Sequence, residues 1–335
     1  MAISNLSAEA KRRGVYIWIL LMLCILLVAA SYTWFSITSR PRVSDMEMYI
    51  NAPTGLELAG SYDSTEWVQQ LDFMDLVDEV SDLKPVTWSN QSQCFYAASY
   101  GFDGRMNGRW DKLSDEQNAN RQSGSGYYTM CTFYARSDEP MQVSLAPAMA
   151  VNNDINGSGT YVIGTADWNA ERVIHEDGGT GAQYAVRMGF RITPVDPATG
   201  QATANGTFYI YEPNSDRHVL QSGETSPKIG YIETGSIDGT ASLVDEQHII
   251  RQTTTEWTEA NPVQRTVVVY KMGDFETPTE LFSLQHNGMV RIDLYVWLEG
   301  QDIDCTNVLG NRSRIFASVQ FKGDLGHGGM EEIPG

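Results

Sequence analysis

The sequence predicts an all-β fold, an antiparallel β-sandwich or jelly roll that follows a single N-terminal transmembrane helix. Three observations predict it. Residues 15–35 carry no charged side chain, several later segments alternate apolar and polar residues, and clusters of glycine, asparagine, aspartate and serine separate those segments. Alternation with a period of two is typical of half-buried strands, and many strands joined by polar turns are typical of sandwiches.

The uncharged segment 15–35 determines the compartment that we expect. As a helix it is long enough to cross a hydrocarbon core of about 30 Å. The basic residues 11–13 precede it and, by the positive-inside rule, keep residues 1–14 in the cytoplasm and place the rest of the chain outside the cell. Two outcomes stay open. The segment is either a retained single-pass anchor or a signal peptide that is cleaved after Ala30, which releases the domain to the cell surface.

The exported part, 36–322, is predicted to be the β-sandwich domain. The clearest alternation predicts strands at 184–192, 290–298 and 315–321, and shorter candidates are 43–50, 127–135, 141–146, 207–211 and 265–271. Side chains alternate between the two faces of a strand. We therefore expect Ile292, Leu294, Val296 and Leu298 to face the core, and Asp293, Tyr295 and Trp297 to face away from it.

Three segments depart from the strand pattern. Helical spacing of apolar residues before Pro85 predicts a helix that covers one end of the sandwich, built on Trp67, Leu71, Met74, Val77 and Val80. Residues 101–126 are polar and predict a long surface insertion between strands, and the glycine-rich residues 323–335 predict a flexible tail.

The composition excludes two broad classes. Hydrophobic residues make up 42% of the 335 residues, which is enough to bury a core and excludes wholesale disorder. The formal net charge is −19 at pH 7, and a field of that sign repels phosphate groups. We therefore expect no nucleic-acid partner.

No local motif for catalysis or for a cofactor is present in the sequence. The pair His175-Glu176 is followed by Gly179 where a zinc peptidase motif needs its second histidine. The acidic cluster Glu299, Asp302 and Asp304 follows the best predicted strand, and carboxylates crowded in this way are the ligands that Ca²⁺ prefers. These three residues are the candidate metal ligands, and a solvated acidic turn is the alternative.

Four cysteines leave one disulfide question open. Cys24 lies inside the membrane segment, so Cys94, Cys131 and Cys305 are exported and can form at most one pair, in three possible ways. Cys94 and Cys131 lie in successive strand-like stretches and are the candidate disulfide. Buried thiols at all three positions are the alternative.

Two places in the sequence resemble a known family. The exit of the apolar run, Ala29-Ala30-Ser31-Tyr32-Thr33-Trp34-Phe35-Ser36, is similar to the signal region of TasA/camelysin-type exported surface proteins of Gram-positive bacteria. Segments 83–87 and 296–307 resemble exported proteins of the same layout. The resemblance implies a jelly-roll ectodomain that leaves through a dedicated signal peptidase, with biofilm matrix fibres and a cell-surface metallopeptidase among the family's roles. The cysteines and the polar insertion depart from the family, and no catalytic residue matches.

Two function classes follow from these observations. The first is a structural or adhesive protein of the cell surface or extracellular matrix that associates with itself, with a matrix polymer or with another cell. The alternative is an exported metal-dependent, peptidase-like hydrolase whose site is assembled from distant loops. The lack of a local catalytic motif favours the first, so we expect no enzyme.

Overall fold

The computed structural model describes residues 16–28, 43–77, 83–89, 92–100, 106–114, 126–148, 159–165, 182–213, 215, 248–260, 266–300, 302, 305 and 313–325. Strands dominate them. They are β1 (Val43–Asn51), β2 (Glu57–Ala59), β3 (Gln70–Asp72), β4 (Pro85–Ser89), β5 (Cys94–Tyr100), β6 (Met106–Lys112), β7 (Tyr128–Ser137), β8 (Met141–Leu145), β9 (Tyr161–Thr165), β10 (Val186–Val195), β11 (Thr207–Glu212), β12 (Ile249–Ala260), β13 (Thr266–Phe275), β14 (Glu280–Leu284), β15 (Gly288–Glu299) and β16 (Ser313–Asp324). A helix spans 16–28, a helical turn spans Ala182–Ala185 and a 3-10 turn spans Phe73–Asp75.

The strands form two sheets. The smaller sheet has the order β14-β8-β16-β1-β3, and β9 also pairs with β16. The larger sheet has the order β13-β12-β11-β10-β15-β4-β5-β6, and β7 pairs with both β15 and β2. The all-β prediction is confirmed.

The prediction of purely antiparallel pairing is wrong, because three strand pairs are parallel: β1 with β16, β11 with β12, and β15 with β4. Short hairpins impose antiparallel pairing, whereas a parallel pair needs a long connection. Long stretches of chain separate the two strands of each of these pairs, so no hairpin fixes their direction.

The main core lies between the two sheets. Met46, Met48 and Ile50 of β1 share one cluster with the predicted core face of β15, Ile292, Leu294, Val296 and Leu298. Phe133 of the larger sheet and Phe321 of the smaller sheet meet with their ring centroids 6.3 Å apart. The two sheets therefore pack face to face, and the prediction for the core face of β15 is confirmed.

The opposite face of the larger sheet, called the outer face below, is also buried around β15. Tyr295 and Trp297 lie there in a second cluster with Trp88 of β4 and Phe95 of β5. Trp88 stacks on Phe208 with centroids 4.4 Å apart. Strand β15 is thus buried on both faces, because aromatic side chains of β4 and β5 pack across the face that alternation alone would leave open.

The predicted helix before Pro85 is wrong within the described residues. Leu71 belongs to β3 and pairs with Ile50 of β1. The side chain of Asp72 then accepts a hydrogen bond from the Met74 backbone nitrogen at 2.9 Å and caps the 3-10 turn. Strand pairing with β1 satisfies the backbone here, and this overrides the helical spacing of the apolar side chains. Val80 lies outside the described residues.

Each of the eight strands predicted from alternation is present in the structure, with small shifts at its ends. The predicted insertion 101–126 is wrong in part, because β6 lies inside it and pairs with β5. The predicted tail begins too early, since β16 continues to Asp324; residues 326–335 lie outside the described residues.

The N-terminal helix exposes its apolar side chains. Each large hydrophobic residue of 16–28 is at least 50% exposed, with Leu21 the least exposed of them. In the described portion of the chain, no helix has both the length and the apolar character needed to cross a membrane.

Candidate functional site

The acidic cluster after β15 is buried and engaged by protein donors. Glu299 is fully buried and its Oε2 accepts a hydrogen bond from the indole Nε1 of Trp297 at 3.0 Å. Asp302 is 2% exposed and its Oδ2 accepts from Arg187 Nη2 at 2.6 Å. Asp304 lies outside the described residues. The described part of the chain contains no group of three or more histidines, cysteines, aspartates or glutamates that could hold a metal ion.

These contacts concern two of the three candidate ligands, and the metal site that includes Asp304 stays a prediction. The solvated acidic turn is wrong for Glu299 and Asp302, since both side chains are buried. Trp297 donates to the carboxylate of Glu299, and Arg187 donates to that of Asp302. Both groups serve in packing the end of β15.

Arg187 is the centre of a buried ion-pair network. Its Nη2 donates to Glu212 Oε1 at 3.1 Å as well as to Asp302, and its side chain is fully buried. The other oxygen of Glu212, Oε2, lies 3.3 Å from Arg251 Nε. Arg187, Glu212, Arg251 and Asp302 are called the Arg187 network below. The network joins β10, β11 and β12 to the turn that follows β15.

Arg187 and Asp302 also take part in hydrogen bonds with the backbone. Arg187 Nη1 donates to the carbonyl oxygens of Tyr184 and Val186, at 3.2 and 3.0 Å. The Asp302 nitrogen donates to the Glu299 carbonyl oxygen at 3.1 Å, which closes the turn. A fully buried guanidinium that is shared by two carboxylates has no surface for a substrate, so the network is structural.

The sequence analysis did not identify Arg187 as a buried residue, although its position in a predicted strand is informative. Arg187 alternates with apolar residues in the predicted strand 184–192, as Arg191 does, and whichever of the two is buried needs an anionic partner. The partner itself could not be identified, because Asp302 lies 115 residues further along the chain.

The structure does not join the candidate disulfide Cys94–Cys131. Cys131 is a free thiol in the core between the sheets, whereas Cys94 lies in a separate cluster with Tyr96. Burial raises the pKa of the Cys131 thiol well above its ordinary value, and the charge of Asp293 raises it further. The thiol is therefore protonated at neutral pH and poorly reactive.

The open part of the outer face gathers polar and aromatic side chains from three neighbouring strands. Strand register places Tyr134 of β7 opposite Arg291 of β15, and places Thr132 and Arg191, from β7 and β10, on either side of Asp293. These five residues are called the outer-face patch. They share one face of the sheet because side chains at alternate strand positions point the same way.

Hydrogen bonds fix the charged groups of the outer-face patch. Asp293 Oδ1 accepts from the Thr132 hydroxyl at 2.8 Å, and Asp293 Oδ2 accepts from Arg291 Nη2 at 3.3 Å. The side chain of Arg291 is 32% exposed, and its Nε has no hydrogen-bond partner among the described residues. That Nε is buried, so a ligand could meet Arg291 only at the exposed part of its guanidinium.

Arg191 borders the patch on the side of β4 and β5. Its guanidinium lies 5.4 Å from the ring centroid of Trp88 and 5.7 Å from that of Phe208, which are cation–π distances. Its Nη2 donates to Gln93 Oε1 at 3.2 Å. The side chain is thus held in one place at the edge of the aromatic cluster.

Tyr62 borders the opposite side. Its ring centroid lies 6.1 Å from that of Tyr134, at an angle of 61°. Gly200 has φ +66° in the turn after β10, and a Cβ there would lie 2.5 Å from the Tyr62 ring, so glycine allows this ring to pack on the turn. Partial burial raises the pKa of the Tyr134 hydroxyl, with Arg291 opposing and Asp293 adding to the shift. The hydroxyl is protonated at neutral pH and can both donate and accept.

The geometry thus leaves two features for function: an exposed apolar helix, and a polar–aromatic patch on a rigid sheet. We compared the chain with protein-family models, with curated proteins and with solved structures, and it matches none of them.

Proposed function

We propose that the chain is an exported protein of the cell surface or extracellular matrix with a structural or adhesive role. One observation carries the proposal. The helix 16–28 presents large apolar side chains that are at least half exposed, beside a β domain whose own apolar residues are packed into cores. A contiguous apolar surface of this kind needs lipid or protein to cover it.

The sequence around the helix supports a membrane tether. The helix lies within the uncharged segment 15–35, behind the basic residues 11–13. A retained segment holds the domain on the membrane as a single-pass protein, and cleavage after Ala30 releases it at the cell surface. The TasA/camelysin resemblance adds a jelly-roll ectodomain and a Gram-positive biofilm matrix to this proposal.

The place of β1 supports self-association. β1 is the first described strand after the helix, and it pairs with β16 on one side and with β3 on the other. A copy released from the membrane could exchange this strand with a neighbouring copy. The main-chain bonds between β1 and β16 would then be the same between copies as within one copy.

Exposure on the cell surface is the first test. We expect protease added to intact cells or spheroplasts to digest the β domain, because the proposed topology keeps residues 1–14 in the cytoplasm and places the β domain outside the membrane. A C-terminal epitope that survives protease on intact cells, and is lost only after lysis, would contradict the proposal.

The hydrolase alternative is less well supported by the described residues. Two of the carboxylates that suggested a metal, Glu299 and Asp302, are engaged by Trp297 and Arg187.

A further inference from the structure

We propose that the outer-face patch binds a neutral saccharide chain. The inference deepens the proposed adhesive function, on which it rests, by naming the class of polymer that the domain holds. Three properties of the patch carry it: its charge balance, its hydrogen-bonding groups and its aromatic rings.

The charges of the patch balance once the neighbouring exposed Asp63 is counted with it. The guanidinium groups of Arg191 and Arg291 stand against the carboxylate of Asp293 and that of Asp63, which borders Tyr134. The whole chain carries −19, so a polyanion meets repulsion as it approaches. A balanced patch on an acidic protein fits an uncharged polar ligand better than an acidic one.

The hydrogen-bonding groups of the patch suit hydroxyl groups. A guanidinium has five N–H donors, and Arg291 donates from Nη2 to Asp293 while its side chain is 32% exposed. The Tyr134 hydroxyl is protonated and both donates and accepts. Sugar hydroxyls also donate and accept, so each can pair with one of these groups.

The aromatic rings of Tyr62 and Tyr134 supply apolar contact beside those groups. Both side chains are half-buried, and Tyr62 is braced against the Gly200 turn. A pyranose ring has an apolar C–H face and a polar hydroxyl rim, and it can contact an aromatic ring and a guanidinium together. Because tyrosine has few rotatable bonds and these rings are already packed, little conformational entropy is lost on binding.

The strands make the patch a preorganised site. Arg291 is held by Asp293, Asp293 is held by Thr132, and Arg191 is held by Trp88 and Gln93. All of them except Gln93 stand on strands and none depends on a long loop. Sites on strands are positioned more accurately than sites on loops.

Affinity gel electrophoresis of the full chain, kept in mild detergent, tests the inference. The gels contain laminarin, hydroxyethylcellulose or mannan as neutral polysaccharides, and polygalacturonate as an acidic one. We expect retardation in at least one neutral gel and none in polygalacturonate. Arg291→Gln and Tyr134→Ala should each weaken the retardation at least tenfold, as measured by the polysaccharide concentration that halves the mobility.

Two further variants separate charge from geometry. Arg291→Lys keeps the charge but loses the planar fork of donors, and we expect it to weaken binding nearly as much as Arg291→Gln. Lys322→Gln makes the same charge change as Arg291→Gln at an exposed position of β16, on the other sheet, and should leave retardation unchanged. Melting curves of all variants identify any that fail to fold, and Tyr134→Ala then stands in for Arg291→Gln.

Three results would overturn the inference: no retardation in any neutral gel, retardation in polygalacturonate alone, or equal retardation of the Arg291, Tyr134 and Lys322 variants. The protease assay on intact cells reads out location and does not depend on saccharide. A domain that is digested on intact cells but binds no neutral polysaccharide would contradict this inference, while the proposed surface location would still hold.

Discussion

Arg187 holds two buried carboxylates, and the free energy of that arrangement depends on all three charges being present. Both the guanidinium and Glu212 are fully buried, and Asp302 is nearly so. Desolvating such groups costs several kcal/mol each, which their mutual attraction and hydrogen bonds offset only while the set is complete. Removing Arg187 takes from Asp302 its donor at 2.6 Å and leaves Glu212 with Arg251 at 3.3 Å.

Arg187→Met should therefore destabilise the protein by about 3–5 kcal/mol, because it leaves Glu212 and Asp302 without their shared donor. Arg136→Met is the matched control. Arg136 forms an exposed ion pair with Glu57 at 2.8 Å and lies over the Trp67 ring, and its loss should cost about 1 kcal/mol. Urea unfolding followed by tryptophan fluorescence gives both values, and equal losses would contradict the structural role of the network.

The Cys131 thiol should make stability fall at alkaline pH. Burial raises its pKa in the folded chain, so the folded chain holds a proton that the unfolded chain has released above about pH 8.5. The unfolded state then binds fewer protons, and stability falls as pH rises from there toward the folded pKa, by about 1.4 kcal/mol per pH unit.

Cys131→Ala should remove that part of the slope. The comparison is the free energy of unfolding of both proteins between pH 8 and 10, where tyrosines and other groups contribute alike and cancel. Parallel curves for the wild type and Cys131→Ala would show that the thiol titrates normally in the folded chain.

The residue roles that the sequence could not reveal are those that depend on distant partners. The acidic residues after β15 are visible as a cluster, but the burial of Asp302 follows from Arg187 on a strand far away in the chain. The same holds for Asp293, which was expected to face away from the core and is 2% exposed beside Thr132. Composition and spacing carry no information about such pairings.

Strand β15 organises the larger sheet, because β10 flanks one side of it and β7 and then β4 the other. Its two faces belong to two different cores. A strand that is buried on both faces loses packing whichever face is truncated. The burial of its outer face cannot be recognised from the sequence of β15. The residues that fill the second core from this strand are tryptophan and tyrosine, which also occur on protein surfaces.

Trp297→Ala should accordingly be as damaging as Leu294→Ala. Leu294 faces the core between the sheets and Trp297 the aromatic cluster, and both are fully buried. Such truncations cost about 2–5 kcal/mol for leucine and about 3–5 kcal/mol for tryptophan. Tyr49→Ala, at a 45% exposed aromatic of β1, is the control and should cost far less. Thermal melts followed by circular dichroism give the ranking, and a Trp297→Ala melt that matches the control would show an open outer face.

A strand could be predicted from the sequence where one of its faces is apolar. It could not be predicted where only hydrogen bonding to a neighbouring strand gives the segment its extended conformation. The alternation in 290–298 and 315–321 predicts β15 and β16. β12 contains Thr253-Thr254-Thr255-Glu256-Trp257, which has no such alternation, and it was not predicted; its backbone is satisfied by pairing with β13. The 3.6-residue spacing before Pro85 failed for the same reason, since β1 supplied a strand partner.

In the whole molecule, the helix and the β domain occupy separate stretches of the sequence, so a shortened chain can contain one without the other. β1 begins at Val43, and the described helix ends at residue 28. We expect a chain that starts at Ser31 to melt at the same temperature as the full chain. A chain that starts at Leu56 lacks β1 and should lose its cooperative transition, because β16 and β3 lose the strand between them.

Adding a peptide of residues 43–51 to the Leu56 chain tests strand exchange directly. We expect the cooperative transition to return, and the Ser31 chain to form oligomers that grow with concentration. A Leu56 chain that folds without the peptide would contradict the place of β1 in the smaller sheet. A Ser31 chain that stays monomeric at every concentration would contradict exchange between copies.

Under the proposed export, the parallel pairing of β1 with β16 would set the order in which the domain is completed. β1 is the first described strand of the β domain and β16 is the last, so β1 would wait without its main partner until most of the chain had crossed the membrane. Pairing over so long a chain separation is slow. Throughout that interval the edges of β1 would be open, and the β16 of a chain already outside would be as suitable a partner as its own. The relative timing of passage and folding would thereby decide whether the strand closes its own domain or joins another.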